Sequence, residues 1–408
     1  SAVLARDPRL IAREEGLRGE FKEFGRRLRS GDLGSLPVVV GLVVIWAIFQ
    51  SLEPNFISAQ NLTNLSVDLV GTGMIAVGIV FVLLLGEIDL SVGSVSGLAA
   101  AVFAVLNINQ GVPEWLALIV AIFCGAVIGA VHGFFFAKVG VPAFVVTLAG
   151  LLAWNGLMLQ VLGSNGTINL DDQGLLASLT SHYFSDISAA YGLATVSVGL
   201  YFLSSWLDSR RRKAVGIPSR PMSDILLRTA VLAVLAFTAA YWLNQYKGLP
   251  LALVIFLAVI VAFDYVLRRT SYGRKVFALG GNVEAARRAG INVAAIRISV
   301  FTIAGAMAAV GGLFLASRIT SASQTSGTGN LLMNAIAAAV IGGTSLFGGR
   351  GKTWSALLGM LVIQSIASGM ALMGIASAIQ FMITGAVLLA AVVIDSISRR
   401  TQKTAGRA

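Results

Sequence analysis

Charge is what this sequence has least of. Only 12% of its 408 residues are charged, against about 25% in soluble domains, and 56% are hydrophobic, with a mean hydropathy of +0.84. A chain of that composition cannot cover itself with polar surface, which excludes an ordinary water-soluble domain and makes lipid the expected solvent. Cysteine is nearly absent. Cys124 lies alone in an apolar run, so neither an internal disulfide nor a cysteine metal site is possible. Histidine occurs twice. His182 falls in a loop, and His132, near the inner end of an apolar run, is expected to hydrogen-bond a neighbouring helix. No ligand cluster surrounds either, so no metal is assigned. No nucleophile, base and oxyanion set stands out, so no catalytic residue is assigned and the chain is not read as an enzyme.

What is abundant fits the same picture. The 45 glycines suit close-packed membrane helices. The net charge of +11 resides in short loops between apolar runs, where it reports orientation rather than nucleic-acid binding. Residues 1–34 are polar and charged without an apolar core, so no cleavable signal is expected there. Leu10, Leu17, Phe21, Phe24 and Leu28 share one helical face, which predicts an amphipathic helix on the inner membrane surface.

Twelve apolar runs of roughly spanning length follow, at 37–52, 69–85, 92–106, 115–137, 142–162, 187–206, 225–243, 249–267, 298–316, 331–347, 353–373 and 375–394. The fold class is therefore all-α, a polytopic membrane helix bundle of about 12 spans. The run at 331–347 is the one expected to depart from a full span. With both termini cytoplasmic, the inner loops hold Arg210 to Lys213, the segment 268–297, Arg350 and Lys352. The outer loops hold Glu53, Glu114, Asp171, Asp172 and Asp186, with only Lys247 and Arg318 as basic residues. That asymmetry is the positive-inside pattern, and it requires an even number of crossings. The organisation reads as an N-terminal segment 1–35, a transmembrane domain 36–397 and a cytoplasmic tail 398–408.

Gly349-Arg350-Gly351-Lys352-Thr353 resembles the end of a phosphate-binding loop. The full pattern needs glycine where Leu346 stands, and a strand before it. A tight turn between two spans is the better reading, so the chain is not expected to bind ATP itself. Asp264 lies one helical turn before Arg268, a spacing that predicts an ion pair rather than a proton relay.

Four segments carry more information. In Gly86-Glu87-Ile88-Asp89-Leu90-Ser91-Val92-Gly93-Ser94, Asp89 or Ser91 can cap the next helix. Glu87 and Asp89 form an acidic motif on an otherwise basic side, either bridged to a basic loop or acting as an ionic latch. Within 268–297, Asn282 is a helix cap, Glu284 occupies the first turn, and Arg287 and Arg288 the last. Gly290 supplies a left-handed stop with Ile291 folding back. These signals, with Ala285 between them, encode a helix of about two turns that needs a surface to dock on. Gly125, Gly129 and Gly133 form a small-residue stripe, as do Gly305, Ala309 and Gly312. Asn155, Gln160, Asn334, Gln364 and Gln380 place uncharged hydrogen-bonding groups inside spans, suited either to a hydroxyl-rich solute or to interhelical bonding.

These stretches resemble the permease subunits of the ribose/xylose branch of ABC sugar importers. The matching segments are Gly86 to Gly93, Tyr272-Gly273-Arg274, Ala278 to Asn282, Ala285-Ala286, Gly290 to Val293, Ala335 to Ala338 and Gly342 to Gly349. The family usually has glycine where this chain has Glu87. The resemblance implies a ten-span core, to which 185–248 adds two inserted spans. The longer form is similar to permeases for D-xylose and multiple monosaccharides. It also implies a homodimer in the bacterial inner membrane, a cytoplasmic ATPase subunit carrying ATP and magnesium, and a periplasmic sugar-binding protein. The helix at 284–290 would couple the ATPase to alternating access of the pore. A secondary active sugar carrier is the rival reading. It requires an ion site and usually an internal repeat, and neither is evident.

Overall fold

A computed structural model describes residues 36–216 and 219–404. The N-terminal segment 1–35, with its expected amphipathic helix, and the last four residues of the tail lie outside the described residues. Among the described residues, ten helices are long and apolar enough to cross a bilayer. They are α2 (Ala59–Leu84), α3 (Val92–Asn109), α4 (Glu114–Val139), α5 (Ala143–Leu162), α7 (Ile187–Ala214), α8 (Met222–Asn244), α9 (Leu251–Arg269), α12 (Val293–Ile319), α14 (Trp354–Leu372) and α15, whose apolar part is Ser377–Ile394. Shorter helices are α1 (Leu36–Leu52), α6 (Leu175–Ser181), α10 (Ser271–Gly281), α11 (Val283–Arg288) and α13 (Leu331–Ile341). The α15 helix continues to Thr404.

The chain divides into two compact units, one built on Tyr183–Leu249 and the other on residues 36–182 with Pro250–Asp395. In the first, α7 and α8 form a hairpin. Asp186 caps α7, Ser209 Oγ donates to the Arg220 carbonyl at 2.9 Å, and Arg228 pairs with Asp224 at 2.6 Å.

The second unit is organised around α2. Hydropathy places its start at residue 69, but the helix begins ten residues earlier. Ser58 caps it by accepting from the Asn61 amide, and polar Gln60, Asn61, Asn64 and Asp68 ride on its first turns. Nineteen of its 26 residues are buried, so it is the core of this unit. The α12 helix runs antiparallel to it, with Gly78 against Ala304 and Gly71 against Gly311. On another face, α12 meets α4. A Cβ on Gly125 would lie 2.5 Å from the Gly305 carbonyl oxygen, one on Gly129 2.1 Å from that of Phe301, and one on Gly133 2.7 Å from the Ile298 Cα. The two small-residue stripes thus face each other, except that Gly312 packs on Ser96 of α3. Such close backbone approach maximises dispersion contact where lipid offers no hydrophobic drive.

The run at 331–347 departs from a full span. The α13 helix has 11 residues and rises about 16 Å, half of a hydrocarbon core about 30 Å thick. The missing length is irregular chain. Beyond α12, the strand β2 (Ser321–Ser323) pairs antiparallel with β1 (Thr167–Asn169). Ser326 and Gly327 then press against Gly97 and Gly93 inside the bundle, and α13 follows. The turn after α13 reaches Leu84 and Gly280, at the opposite end of α12. The segment therefore crosses the unit as a broken span, its irregular backbone packed in part on Gly93 and Gly97 of α3.

Candidate functional site

The short helix α11 forms as its residues dictate. Asn282 Oδ1 accepts from the Ala285 amide at 2.9 Å. Gly290 adopts φ +78°, and the Ile291 amide returns to the Ala286 carbonyl at 3.1 Å, closing the left-handed stop. Glu284 lies between Arg287 at 3.2 Å and Arg288 at 3.5 Å. Ala286 alone is buried, while Asn282, Glu284, Ala285, Arg287, Arg288 and Gly290 are exposed. One anchored face and one open charged face leave a surface for a partner. Just before it, α10 is held by Thr270, which caps it at Gly273, and by Tyr272, whose hydroxyl lies 2.9 Å from Ser299 Oγ. Burial pushes the Tyr272 phenol above its ordinary pKa, an effect that hydrogen bond opposes.

The acidic motif divides into two environments. Asp89 is buried; its Oδ1 accepts from the Ser91 amide at 2.8 Å and the Ser91 hydroxyl at 2.6 Å. Ser91 occupies the cap position of α3 without bonding the helix amides by its side chain. Its Oγ also lies 3.3 Å from Nδ1 of buried His132, and Trp154 of α5 donates to His132 Nε2 at 2.9 Å. The expected interhelical role of His132 is thus observed, and it ties α3, α4 and α5 together. Serine stands between the carboxylate and the imidazole, so this is not the nucleophile–base–acid order of a hydrolase. Glu87 is only partly buried. Burial raises its carboxyl pKa, and the attraction of Arg297 partly offsets the effect. The Arg297 guanidinium lies 4.2 Å from the centre of the Phe136 ring. Gly93 is fixed by the broken span, since a Cβ there would meet the Gly327 carbonyl oxygen at 2.6 Å.

The polar span residues do not form one cluster. Asn155 and Gln160 lie on α5, which packs on α3 and α4. The Asn155 Oδ1 is buried without a hydrogen-bond partner, and Gln160 is exposed. Asn334 on α13 and Gln364 on α14 belong to a packed pair in which Ala338 opposes Gly359; one further turn sets them level. Gln380 stands on α15, whose apolar part has no buried residue. Sequence reasoning passed over Asp68, which lies within α2 and pairs with Arg318 of α12 at 2.7 Å. It was hidden because hydropathy started the span one residue too late to include it. Trp154 was missed too; only its depth within a span distinguished it from interfacial tryptophans. Asp264 pairs with Arg268 at 2.8 Å, as its spacing predicts.

The phosphate-loop-like stretch is a turn between α13 and α14. The Ser345 amide bonds the Arg350 carbonyl at 2.9 Å, and the Thr353 hydroxyl donates to the Ile260 carbonyl at 3.1 Å.

Residues 61–392 match the family described as branched-chain amino acid transport system / permease component. The match spans most of the chain and nearly all the helices just described. This chain belongs to that permease family. The permease is 36% identical over 377 residues to the xylose transport system permease protein XylH of Escherichia coli, covering 91% of this chain and 94% of that protein. The Haemophilus influenzae XylH is 34% identical over 92% of this chain and 99% of its own length. The ribose import permease protein RbsC of Escherichia coli is 33% identical, over 88% and 92%. No solved structure matches it. With ten long apolar helices among the described residues, the permease is a multi-pass inner-membrane protein.

Proposed function

We propose that this chain is the membrane subunit of an ATP-driven monosaccharide importer, with D-xylose as the leading substrate. The observation that carries the reading is α11, a doubly capped helix anchored through Ala286 and open elsewhere. A membrane protein without its own nucleotide site needs such a surface to receive force from a cytoplasmic ATPase. ATP and magnesium belong to that partner, and this chain holds no cofactor. The loop charges support a twelve-crossing arrangement, with α1 and the broken span added to the ten long helices and both termini inside. A periplasmic binding protein delivers the sugar. A second copy of the chain completes the pathway, a pairing that rests on the family resemblance alone. Selectivity then resides mainly in the binding protein, and the uncharged amides of Asn334 and Gln364 offer weak hydrogen bonds along the way. Glu87 and Arg297 are the candidate latch between states. A membrane-embedded enzyme reading finds no support in the Asp89–Ser91–His132 order.

Vesicles containing the full complex test this directly. Replacing Arg287 and Arg288 with Glu leaves ATP hydrolysis running while sugar uptake falls; unchanged coupled uptake contradicts the docking role. Competition among xylose, arabinose, ribose and galactose tests the substrate, and the absence of any pentose preference removes xylose.

A further inference from the structure

Two neighbouring glycines end α10, immediately before the cap of α11, and their surroundings differ sharply. A Cβ on Gly281 would meet nothing within 4 Å. A Cβ on Gly280 would fall 1.8 Å from the Leu84 carbonyl oxygen and 2.8 Å from the Gly349 nitrogen. Those two atoms belong to one hydrogen bond, in which the Gly349 amide donates to the Leu84 carbonyl at 2.9 Å. Gly348, at φ +80°, closes the group, because a Cβ there would lie 2.8 Å from the Gly280 carbonyl oxygen and 2.9 Å from the Gly86 nitrogen. Three distant segments therefore meet backbone to backbone, with no side chain between them.

The position of this joint gives it meaning. Leu84 is the last residue of α2, the core helix of the unit. Gly86 opens the extended stretch to Asp89 and Ser91, which are bonded onward to His132 and Trp154. Gly349 lies on the turn that ends the broken span. A flexible side chain at such a contact would absorb movement by changing rotamer. Close-packed backbone cannot, so it passes displacement on. We propose that Gly280 is the positioning residue that transmits movement of α11 to α2 and the broken span, and so converts partner closure into pore opening. The inference rests on the reading that α11 seats on an ATPase.

The test uses the complete complex with its ATPase in proteoliposomes. Gly280→Ala is expected to retain the ATPase and hydrolyse ATP while uptake falls at least about tenfold, a typical coupling magnitude. Gly281→Ala stays within about twofold of the parent, as an open site should. Parent-level uptake in Gly280→Ala overturns the inference and leaves the docking reading intact. Should Gly280→Ala fail to assemble, spin labels decide the matter in an otherwise unaltered chain. Labels at Ala289→Cys and Ile88→Cys, with Cys124→Ser, should keep a constant separation between ATP-bound and ATP-free states. A change of more than about 5 Å, the scale of one helical ratchet step, overturns it. If the parent chain never retains the ATPase, the docking reading fails, and this inference with it.

Discussion

Trp154 donates its indole N–H to Nε2 of His132 at 2.9 Å. Indole nitrogen only donates, so Nε2 must be the unprotonated nitrogen of a neutral ring. The proton then sits on Nδ1 and points to Ser91 Oγ, whose own proton goes to Asp89. The result is a directed chain from Trp154 to the carboxylate across three helices. Nitrogen-15 spectra of histidine-labelled protein carrying His182→Gln are expected to show a protonated Nδ1 and a bare Nε2. A protonated Nε2 contradicts the chain. Trp154→Phe leaves the Nε2 acceptor buried and unpaired, which costs about 1–3 kcal/mol in unfolding measurements.

The α4–α12 contact sets a steric limit. Gly129→Ala forces its Cβ against the Phe301 carbonyl and is expected to destabilise the protein by about 1–3 kcal/mol. Gly156→Ala on α5, where nothing lies within 4 Å, removes only a glycine and is expected to be neutral or to stabilise by up to about 1 kcal/mol. Thermal unfolding in detergent compares the two, and equal effects contradict the packing account.

Glu87 makes stability depend on pH in an unusual direction. Burial raises its folded pKa above the unfolded value, so the folded state holds the proton more readily. Stability is therefore lost as pH rises from the ordinary carboxylate range through that raised value. Glu87→Gln is expected to melt higher than the parent at neutral pH, with the gain shrinking near pH ~4. A gain independent of pH contradicts the burial argument.

Asp68 and Arg318 join α2 to α12, and both side chains are about one-third exposed. A double-mutant cycle with Asp68→Asn and Arg318→Gln should give a coupling energy of about 0.5–1 kcal/mol that weakens with salt. Zero coupling at low salt removes the pair from the account.

The legible parts of this protein were those encoded locally. Asn282, Gly290 and the charges of α11 act within a few residues of one another, so their spacing specifies the helix before any tertiary contact exists. The glycine stripes of α4 and α12 were legible as interfaces, because only close approach gives glycine a purpose at every fourth position. Two features were not legible. The α2 helix starts ten residues before its apolar run because Ser58 caps it and Arg318 partners Asp68, and neither effect registers in hydropathy. The broken span was foreshadowed by its short run, but its course was not. That course depends on Gly93 and Gly97 of α3 accepting the backbone of Ser326 and Gly327, a contact across more than two hundred residues.

The most direct measurement is a photo-crosslinker placed at Ala285 on the open face of α11, within the complete complex in membranes. The account requires a covalent product with the cytoplasmic ATPase subunit, formed in good yield and lost when Arg287 and Arg288 are replaced by Glu. Products confined to lipid or to this chain itself contradict it.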